Sequence, residues 1–375
     1  MLPQQAYFYQ PSFYNQDMTT SSFIKFLSIC SLTGVFFLSG CGVSSTGDVM
    51  SREANSGGAF GLGKAEKIKA SGLEALENTS DLVIGSFKVG FVESAKQTNQ
   101  ARGGVLSGAS YGGKAKGNFK LSGISDADKQ AITEAAYRDF VETLRAKGYT
   151  VKNRSTLTSS PDYAGLSKES FPLVADSSGF LSAYGKTVFY QPQSFGRSGI
   201  LFMNDLPAQS GGSGLLPGLA GVKSSMAFQT DSKVAQFAEQ HNLGVVSVTY
   251  VVDFAAAGGH SGISSASIVV GQNLAVTQAS MKIITRGSST FTAGTADVSL
   301  GQPIESGKKF GEVVNETSGG DIAIQEAANV AGLLVGQGTN RSRDYIVEAI
   351  PSDYKMFSTE VLKQANQALA SSVRK

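Results

Sequence analysis

Apolar residues fall into three kinds of pattern along this chain. From Phe26 to Leu38 they form a run of 13 residues broken only by small or polar ones. Further on, Ile132, Ala136, Phe140 and Leu144 recur every four residues, which puts them on one face of a helix over residues 126–147. Ser125 is placed to cap that helix, Asp126 and Asp128 suit its positive end, and Gly148 supplies a left-handed stop. The third pattern is alternation. Val246, Val248, Tyr250 and Val252 alternate with Ser247, Thr249, Val251 and Asp253, as in a strand. A glycine-rich turn over residues 258–262 then leads into a β-like stretch over residues 265–285, so the pair reads as an antiparallel hairpin.

The remaining elements follow from weaker signals. A short helix is expected over residues 65–76, strands over residues 82–84 and 87–92, and a Gly/Ser-rich loop or hairpin over residues 102–117. The helix at 126–147 runs directly into Tyr149-Thr150-Val151, so strand, loop, helix and strand make a βαβ crossover with parallel strands. Short strands are expected at 188–190 and 200–203, a loop at 211–218, a helix at 233–241, a strand within 289–300, and helices at 322–335 and 356–373. No period of 20 to 50 residues repeats, which argues against a solenoid or propeller. The expected class is α/β, with α+β as the alternative: a mixed sheet carrying a βαβ unit and helices, plus an antiparallel hairpin.

The first apolar run is too short to cross a bilayer as a helix, which takes about 20 residues, and has the length of a signal-peptide core. The 17 residues before Met18 carry Asp17 and no basic residue, whereas a start at Met18 places Lys25 just ahead of the run. Translation is therefore open between Met1 and Met18. The run ends in Leu38-Ser39-Gly40-Cys41, which resembles the lipobox of bacterial lipoprotein precursors. That resemblance implies cleavage between Gly40 and Cys41, acylation of Cys41, and, with Gly42 rather than Asp following, the outer membrane. Multiple acyl chains anchor firmly, since each buried methylene contributes about 0.8 kcal/mol. The expected organisation is an upstream extension and signal peptide over residues 1–40, a Gly/Ser-rich tether over 41–66, and a single periplasmic domain over 67–375 with a loop-rich insertion at about 161–219.

Composition narrows the chemistry. The chain has 375 residues, 44 Gly, 2 Cys, 2 His, no Trp, 17% charged residues and a net charge of +2. It is glycine-rich and charge-poor, with no basic block to serve as a nucleic-acid footprint. Cys30 would leave with the signal, so the mature chain would form no internal disulfide. Two stretches, 58–64 and 108–114, approach a phosphate loop, but Ala65 and Ala115 stand where the magnesium-binding hydroxyl belongs. His241 and His260 stand alone, which speaks against zinc, and no GxSxG elbow occurs. Asp253, at the end of an apolar strand, is the one candidate for a carboxylate-pair hydrolase. Arg341-Ser342-Arg343-Asp344 reads as a solvated face or local ion pair. Catalytic, cofactor and metal residues are thus expected to be none.

The strand at 89–92, the helix closing in Phe140-Val141-Glu142-Thr143-Leu144-Arg145-Ala146-Lys147-Gly148, the strand Tyr149-Thr150-Val151 and the trailing Asn153-Arg154-Ser155-Thr156-Leu157 resemble the opening βαβ of the CsgG-like lipoproteins. The later helix, strand, glycine turn and long strand through 281–285 resemble that family's second half in order. Lipoprotein activators of penicillin-binding proteins share the architecture and the lipobox. The resemblance, over about 87–285, implies an α/β lipoprotein facing the periplasm, working in envelope assembly or as a subunit of an oligomeric secretion pore. The insertion and the glycine-rich loop after the first strand depart from it. The hairpin is expected to stay out of the bilayer, since Gln272, Asn273, Gln278 and Lys282 interrupt its apolar alternation. The expected partners are the membrane, through the anchor, and other envelope proteins or a second copy, with no nucleic acid and no enzymatic activity.

Overall fold

The computed structural model describes residues 42–52, 65–101, 113–175, 185–205, 220–261, 266–285, 294–334 and 339–373. The chain opens with strands β1 (Gly42–Val49), β2 (Ile68–Ser71), β3 (Asp81–Val92), β4 (Ser94–Gln100) and β5 (Lys114–Ser122). Helix α1 (Asp126–Ala146) and β6 (Thr150–Lys152) follow, then the one-turn α2 (Ser155–Thr158) and the short strands β7 (Lys168–Ser170), β8 (Leu173–Ala175), β9 (Thr187–Tyr190) and β10 (Ser198–Ile200). Helix α3 (Ala220–His241) leads into the long strands β11 (Gly244–Ser261) and β12 (Ala266–Ile284). After them come β13 (Thr295–Leu300), β14 (Ile304–Glu305), β15 (Gly311–Asn315), α4 (Gly319–Leu334), β16 (Asn340–Ala349) and α5 (Pro351–Ser371).

The class is α/β with mixed sheets. The larger sheet is ordered β2-β13-β12-β11-β3-β9-β8, with β1 and β14 also on β12 and β6 on β3. Strand β3 is parallel to both β11 and β6, and antiparallel to β9. The pairing of Asp81 with Thr150 makes β3, α1 and β6 the parallel βαβ unit that the pattern around Phe140 predicts. Helix α1 begins with a capping box, in which the Ser125 hydroxyl accepts from the Asp128 amide while the Asp128 carboxylate accepts from the Ser125 amide. It ends ahead of Gly148, whose φ of 92° few other residues adopt.

Helices α1 and α5 cover one face of this sheet, where Ile132, Phe140, Tyr354, Val361 and Leu369 meet Val246, Val248 and Tyr250 in the main core. The Tyr250 hydroxyl donates to Asn366 Oδ1 at 2.5 Å, and Asn366 Nδ2 donates to the Ala136 carbonyl and the Asp139 carboxylate. One buried amide thus ties strand, α5 and α1 together. On the other face α3 packs Val234, Phe237 and Ala238 against Val83, Val245 and Ile284. The alternation in β11 divides Val245 from Val246 between these two cores, as a period of two requires.

Strands β11 and β12 outrun the helical layers. Their distal halves, with β1 laid parallel along β12, lie over a second sheet ordered β15-β16-β5-β4. There Ala266, Ile268 and Val270 share the core with Ala115, Phe119, Tyr345 and Val347.

Several expectations give way. Residues 42–49, expected in a tether, form strand β1, with Gly42 opposite Ser267 and Ser45 opposite Val270. Strand pairing is made by backbone groups, so a Gly/Ser composition does not prevent it. Residues 68–71, expected as helix, pair with β13, and only Leu73–Leu76 is helical, as one 3-10 turn. Strands β4, β15 and β16 lack a clear apolar signal because each carries a polar face, and β16 also takes a partner, β5, that is distant in sequence. The expected helix at 233–241 is the second half of α3.

Candidate functional site at the joint of the long hairpin

The register between β11 and β12 slips at Val251/Val252 and again at Asp253/Ala255. These bulges fall where the hairpin leaves the helical layers for the second sheet. A bulge leaves amides without ladder partners, and Asp253 answers one of them, its Oδ1 accepting from the Phe254 amide at 2.8 Å. Asp253 is 3% exposed. A carboxylate that deep needs a counter-charge, and Arg52 supplies it, with Nη2 3.0 Å from Asp253 Oδ2.

Arg52 lies just beyond β1 and also donates to the Ala255 carbonyl. Its own amide donates to Glu305 Oε1 at 2.9 Å. Asn273 Nδ2 donates to the Met50 carbonyl at 2.7 Å and to Glu305 Oε2 at 3.1 Å. Next to it, the fully buried Gln272 accepts through Oε1 from the amides of Phe310 and Gly311 at 2.8 and 3.0 Å, and donates through Nε2 to the Gly311 carbonyl at 2.8 Å. The cluster therefore joins the end of β1, the bulged hairpin, β14 and the entry to β15.

Chemically this is a clamp. Arg52 meets Asp253 with its guanidinium and Glu305 with its backbone amide, and both carboxylates are committed to protein donors. A general acid or base needs an oxygen within reach of a substrate, and this geometry spends those oxygens on holding strands. Of the five residues, Asp253 was legible as a strand-end acid, and Gln272 and Asn273 as interruptions of an apolar strand. Arg52 hides in a Gly/Ser-rich stretch and Glu305 in a two-residue strand, and neither carries a local signal.

The other sequence-derived candidates are scattered. His241 closes α3 with its ring 4.4 Å from that of Phe237, and His260 is exposed near the end of β11. Arg341 and Arg343, expected on a solvated face or in a local ion pair, take the second course, both pairing with Glu326 at the joint between β16 and α4. Arg341 makes a two-pronged pair with Glu326 at 2.7 and 2.8 Å, and Arg343 is 9% exposed and donates to Gln325. Hydrogen bonds from Arg341 hold the Glu326 carboxyl below its ordinary range. At the base of α1, burial pushes Glu93 upward, but hydrogen bonds from Lys129 and Lys186 outweigh it and leave the carboxyl below its ordinary value. Gly40, Cys41 and the first phosphate-loop-like stretch lie outside the described residues, and of the second only Gly113 and Lys114, at the start of β5, are described.

Among the described residues no three His, Cys, Asp or Glu side chains gather as a metal site would require, and no helix is long and apolar enough to cross a membrane. Comparison with protein-family models, with curated proteins and with solved structures finds no match to this chain.

Proposed function

We propose that the chain is an outer-membrane lipoprotein, acylated at Cys41, whose periplasmic α/β domain acts as a non-enzymatic binding or assembly component of the bacterial cell envelope. The observation that carries this reading is the lipobox-like Leu38-Ser39-Gly40-Cys41 placed one residue ahead of a strand. Gly42 already pairs with Ser267, so an anchor at Cys41 is bonded directly to the sheet. Commitment of Asp253 and Glu305 to the clamp supports a binding role over a carboxylate-pair hydrolase. A subunit of a CsgG-like pore would insert hairpins into the bilayer, whereas the described faces of β11 and β12 are largely occupied by the protein's own layers, which favours the adaptor.

The deciding experiment compares the native protein with Cys41→Ala, by membrane fractionation and by the mass of the mature N-terminus. Acyl mass on Cys41 and loss of outer-membrane fractionation in the variant are expected. Unchanged fractionation without acyl mass would overturn the reading. Light scattering in mild detergent then separates an adaptor, expected to be small, from a pore, expected as a discrete large ring.

A further inference from the structure

One end of the second sheet gathers features that no part of the hairpin clamp uses. Asn99 stands opposite Ala115 in the β4–β5 ladder and donates through Nδ2 to the Ser267 carbonyl at 3.1 Å. Ser267 in turn pairs with His260 and with Gly42. On the far side of β5, Lys114 pairs with Asn340 at the start of β16. Gly42, Asn99, Lys114, His260 and Asn340 therefore lie at one level, the pole to which Cys41 is joined by a single peptide bond.

The outer face of the sheet is basic at this pole. Lys114, Lys116 and Lys96 project from the same face of the β4–β5 ladder. They crowd one another: burial first, and then the nearness of Lys96 and Lys114, lowers the affinity of Lys116 for its proton. Of the acids on this face, Asp344 stands level with Lys96 across Asn118, whose side chain it accepts from, and its nearness works the other way on Lys116. Glu348 lies further along β16, so the pole itself is left to Lys114 and Lys116.

Helix α4 adds an apolar element, because it is turned inside out. Gln325, Glu326 and Asn329 face β16, where the Gln325 side chain accepts from the Ser342 amide and Asn329 from the Asn340 amide at 2.7 Å. The outward side chains Ile324 and Val330 are 70% and 60% exposed. The contact of Asn329 with Asn340 sets Val330 at the level of Lys114, and Ile324 about 9 Å further from the pole at 1.5 Å per residue.

We infer that this pole is a second, non-covalent contact with the bilayer, in which Lys114 and Lys116 engage phosphates of anionic phospholipid and Val330 enters the headgroup layer beside the acylated Cys41. Charge complementarity and the position of the anchor select a membrane over another protein. A basic residue near an anionic surface contributes about 1 kcal/mol, roughly a fivefold gain in partitioning, within a Debye length of about 8 Å. This inference rests on the reading of Cys41 as lipidated, and its test keeps the two apart.

The full-length gene product, processed and purified from membranes, carries a single fluorophore on Val330→Cys or, at the far end of β16 about 30 Å away, on Ile350→Cys. Each is reconstituted into vesicles with and without phosphatidylglycerol, and quenching by iodide is measured. The label at 330 is expected to be shielded several-fold with phosphatidylglycerol, and the label at 350 to remain open. Lys114→Gln with Lys116→Gln is expected to remove that difference and to weaken partitioning on the order of 20-fold. Equal quenching at both positions would overturn the inference. So would shielding of 330 in detergent that rises with protein concentration, which would assign the face to a second copy. If mass spectrometry finds no acyl group on Cys41, the lipoprotein reading fails by itself. Vesicle flotation of that chain then decides the contact: lysine-dependent binding sustains it, and no binding overturns it.

Discussion

Arg52 illustrates how much one side chain decides in this molecule. It is the counter-charge of a buried carboxylate and also fastens the end of β1 to β11. Removing one partner of a buried pair strands the other, a loss of about 3–5 kcal/mol. Arg52→Met is therefore expected to lower unfolding free energy by about 3 kcal/mol in a denaturant titration, and Arg52→Met with Asp253→Asn by less than the sum of the two single changes. Tyr250→Phe is milder. It leaves Asn366 Oδ1 without its 2.5 Å donor and is expected to cost about 1–3 kcal/mol in the same titration.

Among the elements, α1 and β1 stand at opposite ends of legibility. The four-residue spacing of Ile132, Ala136, Phe140 and Leu144, with a cap at one end and Gly148 at the other, makes α1 a local matter. Ser125→Ala removes half of its capping box and is expected to cost about 1 kcal/mol, read as a lower melting temperature. Nothing local marks β1, since Gly42, Ser44, Ser45 and Gly47 suit a linker equally well; its partner lies more than two hundred residues away. The same holds for β16, whose partner β5 precedes it by about the same distance. Hydrogen exchange separates the two readings of β1. Slow exchange of the Val43 to Ser45 amides is expected, whereas a tether would exchange within seconds.

At the scale of the molecule, acid weakens the fold through carboxyls that the structure keeps ionised. Hydrogen bonds from Tyr190 to Asp126 and from Ser125 to Asp128 lower both groups below the ordinary 3.8, and Glu93 sits below 4.5. Because these values are depressed on folding, the stability they contribute is present above about pH 5 and drains away as pH falls through 4 and below. Asp297 opposes the trend, since burial raises its value and protonation relieves it. The melting temperature is expected to hold between pH 5 and 8 and to drop steeply toward pH 3. Lys129→Met, which removes a donor to Glu93, is expected to lower the plateau and flatten the drop.

From the sequence alone follow the lipobox-like tetrapeptide, the capped helix α1, the βαβ order and the hairpin of β11 and β12, because each is written in spacings shorter than one element. The same spacings made Asp253 stand out. What Asp253 does was decided by the tertiary structure, which brings Arg52 from 201 positions earlier in the chain onto its carboxylate and Glu305 onto the Arg52 amide. The second sheet was decided there too, as was the closeness of Gly42 to Lys114. Pairing between distant strands depends on backbone hydrogen bonds and on closing long loops, and neither leaves a periodic mark on the residues involved.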